Sequence, residues 1–205
     1  SFIGAVPQNP CISTGEHVAT EKMLRDSGMA WTFLRDSQYS EALVLFAAPG
    51  ALMSGQWLSA AGEGRLAMVS REDCIASAAA AVSGEGHENK AYDITGPQLL
   101  TFRDCARLAA EFGGRPVNYQ VCSDDEKLAF FDMLGVPRRI VGDEPIAGPI
   151  PWPSEEMVSF ERAIREGFFD VRSDDVEKLT GRKPRSLRQV FEQHAQALRA
   201  AVPAP

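Results

Sequence analysis

Residues 17–41 read HVATEKMLRDSGMAWTFLRDSQYSE, and the order of residue types in this stretch decides the fold class. Ser13 or Thr14 is placed to cap a helix, and Glu16 falls in its first turn, where the positive helix end favours a carboxylate. Val18, Met23 and Leu24 form its apolar side, and Gly28 closes it as a left-handed terminal glycine would. Residues 29–34 (MAWTFL) are rich in aromatic and β-branched types and carry no charge until Arg35, which predicts a buried strand. Residues 35–41 are then polar. Helix, tight turn, strand and polar loop make half of a βαβ crossover, the unit of parallel sheets.

Outward from there the same grammar repeats. Residues 1–14 read as a loop. Residues 39–53 predict a helix interrupted at Pro49–Gly50. Residues 57–59 and 66–69 predict two short strands around a Gly62–Glu63–Gly64 turn. Ser70, Thr101, Ser123, Ser173 and Ser186 each stand where a helix cap belongs. They precede helices over 71–82, 101–112, from 123, to Gly181, and to about 201; a further helix spans 154–166. Residues 91–94 and 117–121 predict strands, and the Pro- and Gly-rich residues 135–153 an irregular connection. Alternating strands and helices indicate an α/β fold with a mostly parallel sheet, followed by a smaller α+β lobe.

The chain has 205 residues and a formal net charge of −7. An acidic balance without a basic block argues against binding to nucleic acid or to an anionic membrane surface. No apolar run approaches the roughly 20 residues that span a bilayer. No basic segment followed by an apolar one marks a signal peptide. Cys11, Cys74, Cys105 and Cys122 form no C-x-x-C pair, which excludes a zinc ribbon and a thioredoxin-type dithiol. Isolated thiols fit a reducing cytoplasm.

Residues 62–67 (GEGRLA) match the G-x-G-x-x-A dinucleotide fingerprint. A phosphate site needs those glycines to open a helix. Here a strand-like run follows, so a turn is the better reading. His17 and Glu21 stand four apart on one helix face, a spacing that serves a proton relay or a plain surface pair. The loop after the predicted strand lies at its carboxyl end, where open α/β sheets bind ligands. Tyr39 could stack on or hydrogen-bond a ring there, and Ser37, Gln38 and Ser40 could serve an amide. The competing reading is a polar loop that caps the next helix. Trp152 could line a substrate mouth or act as a rigid packing element.

The ordered set His17, Thr20, Glu21, Lys22, Leu24, Ser27, Gly28, Thr32, Leu34, Arg35, Tyr39, Ser40 and Glu41 resembles the NmrA-like atypical short-chain dehydrogenase/reductases. It is especially similar to their NAD(P)H:quinone oxidoreductase type 2 group. Weaker similarity continues through residues 62–82, with Arg71 and Asp73, through residues 90–114, and at residues 173–181. The resemblance implies the C-terminal part of a Rossmann-type parallel sheet, with a smaller α+β substrate lobe that closes over the nicotinamide. Residues 1–50 would be the remainder of the NAD(P)-binding domain, to which later strands return, and residues 51–205 mainly the substrate lobe.

Asp36, Ser37, Gln38, Tyr39, Ser40 and Glu41 would line the nicotinamide end of NADP or NAD, with NADPH favoured. The superfamily's Tyr-x-x-x-Lys pair is missing. With Glu21 laid on the superfamily glutamate, His17 takes the lysine position and Ser13 the tyrosine position. That departure disfavours standard ketone chemistry and is compatible with hydride transfer to a quinone or similar small acceptor. His17 and Tyr39 are the candidate catalytic residues, His17 for a proton or cofactor-positioning role. A non-catalytic NAD(P)-binding redox sensor is the alternative, and a nucleotide-sugar epimerase a third reading that the missing pair opposes. A homodimer is a candidate assembly. The first residue is Ser rather than Met, so the expectation is that it is no translation start, and in the family's register it aligns with the end of a central strand. The expectation is therefore that roughly 100 preceding residues carry the Gly-rich first mononucleotide half, and that the chain alone binds dinucleotide poorly.

Overall fold

The computed structural model describes residues 1–140 and 150–201. In chain order these form α1 (Ile12–Asp26), β1 (Thr32–Asp36), α2 (Ser40–Ala42), a π-helical turn (Leu43–Ala47), α3 (Ala48–Ser54) and β2 (Gln56–Ser59). Then come α4 (Arg71–Ser83), β3 (Lys90–Ile94), α5 (Phe102–Gly113), β4 (Asn118–Val121), α6 (Asp124–Met133), α7 (Ser154–Arg165), α8 (Asp175–Thr180) and α9 (Leu187–Ala200).

β1 and β3 pair in parallel, from Thr32 opposite Lys90 to Asp36 opposite Ile94. Residues 1–3 lie along β1 as well: Phe2 forms a parallel bridge with Asp36, and Ile3 N–H donates to the Asp36 carbonyl at 3.1 Å. α1 is therefore the crossover between two parallel segments, as a helix-to-strand glycine turn implies. β2 and β4 form a second parallel pair, from Gln56 opposite Asn118 to Ser59 opposite Val121. The main core draws on side chains from both ends of the chain, including Ile3, Val44, Leu52, Leu66, Met68, Ile164, Phe169, Phe191 and Leu198.

Four of the five expected caps form: Ser70, Thr101, Ser123 and Ser186 each accept a backbone N–H from the first turn of α4, α5, α6 and α9. Ser173 does not. Its hydroxyl is held by the Asp93 carbonyl and by Asp175 N–H, and Asp174 occupies the N-cap position of α8 without a side-chain cap.

Other expectations shift for identifiable reasons. α1 starts before Ser13, at Ile12, because Ser159 Oγ on α7 accepts Ile12 N–H at 3.1 Å and replaces a local cap. Met23 is exposed, while Glu21 is on the buried face. The strand begins at Thr32 rather than Met29. Met29 is exposed, and the Trp31 ring stacks on Phe33 at 4.1 Å instead of continuing the sheet. Residues 66–69 are not a strand: Leu66 bridges Leu100 antiparallel and Val69 bridges Tyr39 in parallel. The helix beyond Tyr39 widens into the π turn just before Pro49, whose ring has no N–H and crowds the carbonyl four residues back. Within the connection over 135–153, residues 141–149 lie outside the described residues.

Candidate functional site

Residues 1–3, β1 and β3 all run the same way, so residues 4–10, 37–41 and 95–98 emerge at one edge, the carboxyl edge of the parallel segments. Asp36 ends β1 there. The Tyr39 hydroxyl donates to Asp36 Oδ2 at 3.1 Å, and the Arg71 guanidinium lies 5.5 Å from the centre of the Tyr39 ring. Backbone bonds hold the loop on two sides. Ser37 N–H donates to the Ile94 carbonyl at 2.9 Å. Ser40 N–H reaches the Val69 carbonyl at 2.8 Å, and Val69 N–H returns to the Gln38 carbonyl at 3.0 Å.

Burial pushes the Asp36 carboxyl up, against the pull of the hydrogen-bonded Tyr39 hydroxyl, the charge of the chain's amino terminus and the nearby Cys74 thiol. Tyr39 is pushed up to about 12, first by burial and then by the Asp36 charge. It therefore remains a neutral hydroxyl at physiological pH, unlike a tyrosine beside a lysine, whose proton is made acidic. The Cys74 thiol also rises, again through burial and then the Asp36 charge. Sequence reasoning took Cys74 for an isolated thiol. Its only signal was its place in the first turn after the Ser70 cap, a turn that packs against β1.

The expected loop residues divide by orientation. Asp36 and Gln38 are half-buried, and Tyr39 is 36% exposed. Ser37 and Ser40 are fully buried, and their hydroxyls have no hydrogen-bond partner among the described residues. Glu41 turns away to accept Arg71 N–H at 3.1 and 3.2 Å, where it stabilises the positive end of α4.

His17 stacks against Phe2, with ring centroids 6.2 Å apart. Burial lowers its pKa first, followed by the charge of the chain's amino terminus; Glu16 and Glu21 pull the other way. Glu21 does not serve His17 as a hydrogen-bond partner. It is 2% exposed. It accepts from Arg35 Nε at 2.8 Å and Nη2 at 2.6 Å, from Arg25 at 3.0 Å and from Ser1 Oγ at 2.7 Å. The structure therefore uses the glutamate to bind α1 to β1. His17 joins the Asp36 end of the sheet indirectly, through Phe2, whose backbone pairs with Asp36. Ser13 Oγ lies 3.3 Å from Cys11 Sγ, and Lys22 is an exposed partner of Asp26.

The Gly62–Ala67 fingerprint holds no phosphate geometry. Gly62 has φ of +57°, which L residues rarely adopt, and no helix follows. A Cβ on Gly64 would lie 2.3 Å from the Ile164 carbonyl oxygen. Its glycines serve a turn and a close backbone approach to α7.

A nicotinamide carboxamide needs one acceptor and one donor at a strand's carboxyl end. The Asp36 carboxylate, Gln38 amide and Tyr39 hydroxyl supply both, and the orphan hydroxyls of Ser37 and Ser40 leave the loop with unspent hydrogen-bonding capacity. The residues present fit such a group.

Parallel segments joined by helical crossovers, with a polar loop at the carboxyl edge, define a Rossmann-type α/β fold of the NAD(P)-binding kind. Its homologues are quinone oxidoreductase 2 and NmrA-like oxidoreductases. The chain is 40% identical to quinone oxidoreductase 2 of Escherichia coli over 122 residues, which covers 60% of this chain and 42% of that protein. It is 28% identical to an NAD(P)H azoreductase of Xenophilus azovorans over 200 residues, 97% of this chain and 65% of that one. The crystal structure of the E. coli NADPH-dependent quinone oxidoreductase in complex with NADPH superposes with a TM-score of 0.82 at 30% identity, over 94% of this chain and 63% of that one. The chain thus spans less than two thirds of the length of each of these relatives. No family model matches it.

Proposed function

We propose that this chain is part of an NAD(P)H-dependent oxidoreductase that delivers hydride to a quinone or similar small acceptor, with NADPH favoured over NADH. The observation that carries the reading is the Tyr39–Asp36 hydrogen bond at the carboxyl edge of the parallel segments, in a loop held by backbone bonds on both sides. When bound, the nicotinamide supplies two electrons and a hydrogen as hydride. Asp36, Gln38 and Tyr39 hold its carboxamide end; Ser37 and Ser40, beneath the loop surface, and Glu41, through the α4 terminus, fix the loop's shape.

Reduction of a quinone to the hydroquinone needs one further proton. Tyr39, pushed up to about 12, is a poor source and acts as a neutral hydrogen-bonding contact to cofactor and acceptor. His17, kept neutral by burial, positions the cofactor or relays that proton from solvent. The acceptor's own basicity does the rest, which is why a Tyr-x-x-x-Lys pair is dispensable here.

The test is steady-state NADPH oxidation with benzoquinone, measured on the longest natural form of the protein, together with NADPH binding by fluorescence. Turnover should fall at least about tenfold in Tyr39→Phe and in His17→Ala. Turnover no greater than that of the double variant, with NADPH still bound, refutes the enzyme reading. It would favour instead a non-catalytic NAD(P)-binding sensor.

A further inference from the structure

Arg71 stands where its own helix gains nothing from it. It is the first residue of α4, at the positive end of the helix dipole, where a cation is unfavourable. The acids of that turn do not account for it. Asp73, fully buried, accepts from Ser70 Oγ at 2.7 Å, from Arg182 Nη1 at 2.6 Å and from Arg185 N–H at 2.8 Å. Glu72 accepts from Arg185 Nη1 at 2.5 Å. Both carboxylates are thus taken by the segment that leads into α9, and among the described residues the Arg71 guanidinium forms no ion pair. It lies instead over the Tyr39 ring, 5.5 Å from its centre.

The contact has two arms. The guanidinium takes the Tyr39 ring, and the Arg71 N–H takes the Glu41 carboxylate two residues further along the same loop. Tyr39 is therefore held at its hydroxyl by Asp36, at its ring face by Arg71, and through its neighbours by the Val69 backbone. The turn that carries Arg71 is itself fixed from two sides: Ser70 caps it, and residues 182–185 pin it through Asp73. A cation over an aromatic face is attracted by the ring's quadrupole. A ring held at tip and face loses little further freedom when a ligand arrives, which is the gain that preorganisation brings to binding.

We infer that Arg71 is a positioning residue of the candidate site: it holds Tyr39 preset for the dinucleotide, acting through the tyrosine and not on the ligand. The effect on binding rests on the NAD(P)H reading above, whereas the grip on the loop belongs to the protein alone.

The test compares Arg71→Met, Arg71→Lys, Tyr39→Leu and the Arg71→Met/Tyr39→Leu double variant in the longest natural form of the protein. Two quantities are read: NADPH affinity by fluorescence, and amide exchange of residues 37–41 without cofactor. Arg71→Met should weaken NADPH binding by about two- to fivefold and speed exchange in the loop by a similar factor. Arg71→Lys, which keeps a cation, should restore most of both. In the Tyr39→Leu background Arg71→Met should change neither. Every variant keeps the N–H bond to Glu41, and Met at this position relieves the dipole, so the melting temperature should not fall. Unchanged exchange in Arg71→Met, unchanged NADPH affinity, or equal losses in both Tyr39 backgrounds overturns the proposal. So does a melting temperature lowered by more than about 3 °C, which would assign Arg71 to the stability of α4. Weaker NADPH binding with unchanged exchange would place the guanidinium on the cofactor itself and equally overturn the positioning role. Faster exchange in a protein whose wild type binds no NADPH overturns the cofactor reading and leaves the grip of Arg71 on the loop standing.

Discussion

Replacing Glu21 with Gln should destabilise the fold more than any surface change on α1. The carboxylate is buried and holds both nitrogens of an Arg35 fork, at 2.8 and 2.6 Å, so the loss is of a charge-assisted, two-point contact. Gln keeps the shape and one acceptor oxygen, but turns an NH₂ toward donors. Removing one partner of a fully buried pair costs about 3–5 kcal/mol. The Arg35 side chain is a quarter exposed, so water recovers part of its hydration, and Arg25, nearly half exposed, contributes little. The expected loss is about 2–3 kcal/mol. For a chain of this size that lowers the melting temperature by roughly 5–10 °C. Urea unfolding of Glu21→Gln, Arg35→Met and the double variant measures it. The double variant should lose clearly less than the sum, with a coupling of at least about 1 kcal/mol. A loss below about 0.5 kcal/mol in Glu21→Gln, or strict additivity, would refute the idea that this pair binds α1 to β1.

Two further outcomes bear on the same geometry. Gly64→Ala should destabilise by about 1–3 kcal/mol, because its methyl meets the Ile164 carbonyl backbone rather than a yielding side chain. If fluorescence titration shows weakened NADPH binding in protein that melts like the wild type, the close-approach explanation fails. Stability should also drop in acid. At Glu21, burial alone would raise the pKa, but the hydrogen bonds from Arg35 and Ser1 and the charges of Arg35 and Arg25 outweigh it, so the folded value is depressed. Its contribution is therefore complete above the ordinary glutamate value of about 4.3 and lost as pH falls through the depressed one. Asp36, raised by burial, has the opposite sign and loses stability as pH rises through its window. Urea midpoints across this range should show a shallower acid limb in Glu21→Gln; an unchanged limb counts against the assignment.

Read alone, the sequence determined whatever depends on neighbours along the chain. A cap hydroxyl bonds an N–H two or three residues on, so Ser70, Thr101, Ser123 and Ser186 announced α4, α5, α6 and α9. Gly28 between an amphipathic run and an uncharged one announced the crossover, and with it a parallel sheet whose carboxyl edge carries residues 36–41. Tertiary structure decided what depends on partners far away. Ser159 replaced a local cap on α1 and moved its start to Ile12. Glu21, read as a mate for His17 four residues away, was taken by Arg35 on the neighbouring strand, because a buried carboxylate binds the cation that best repays its desolvation. Cys74 joined Asp36 and Tyr39 only when α4 packed on β1. Gly62 and Gly64 matched a phosphate fingerprint in spacing, yet the role of Gly64 followed from the Ile164 carbonyl pressed against it, and that of Gly62 from a left-handed turn. Arg71 lies over Tyr39 on a turn of α4 that residues 182–185 pin in place, and no local pattern signals an arrangement that three separate segments share.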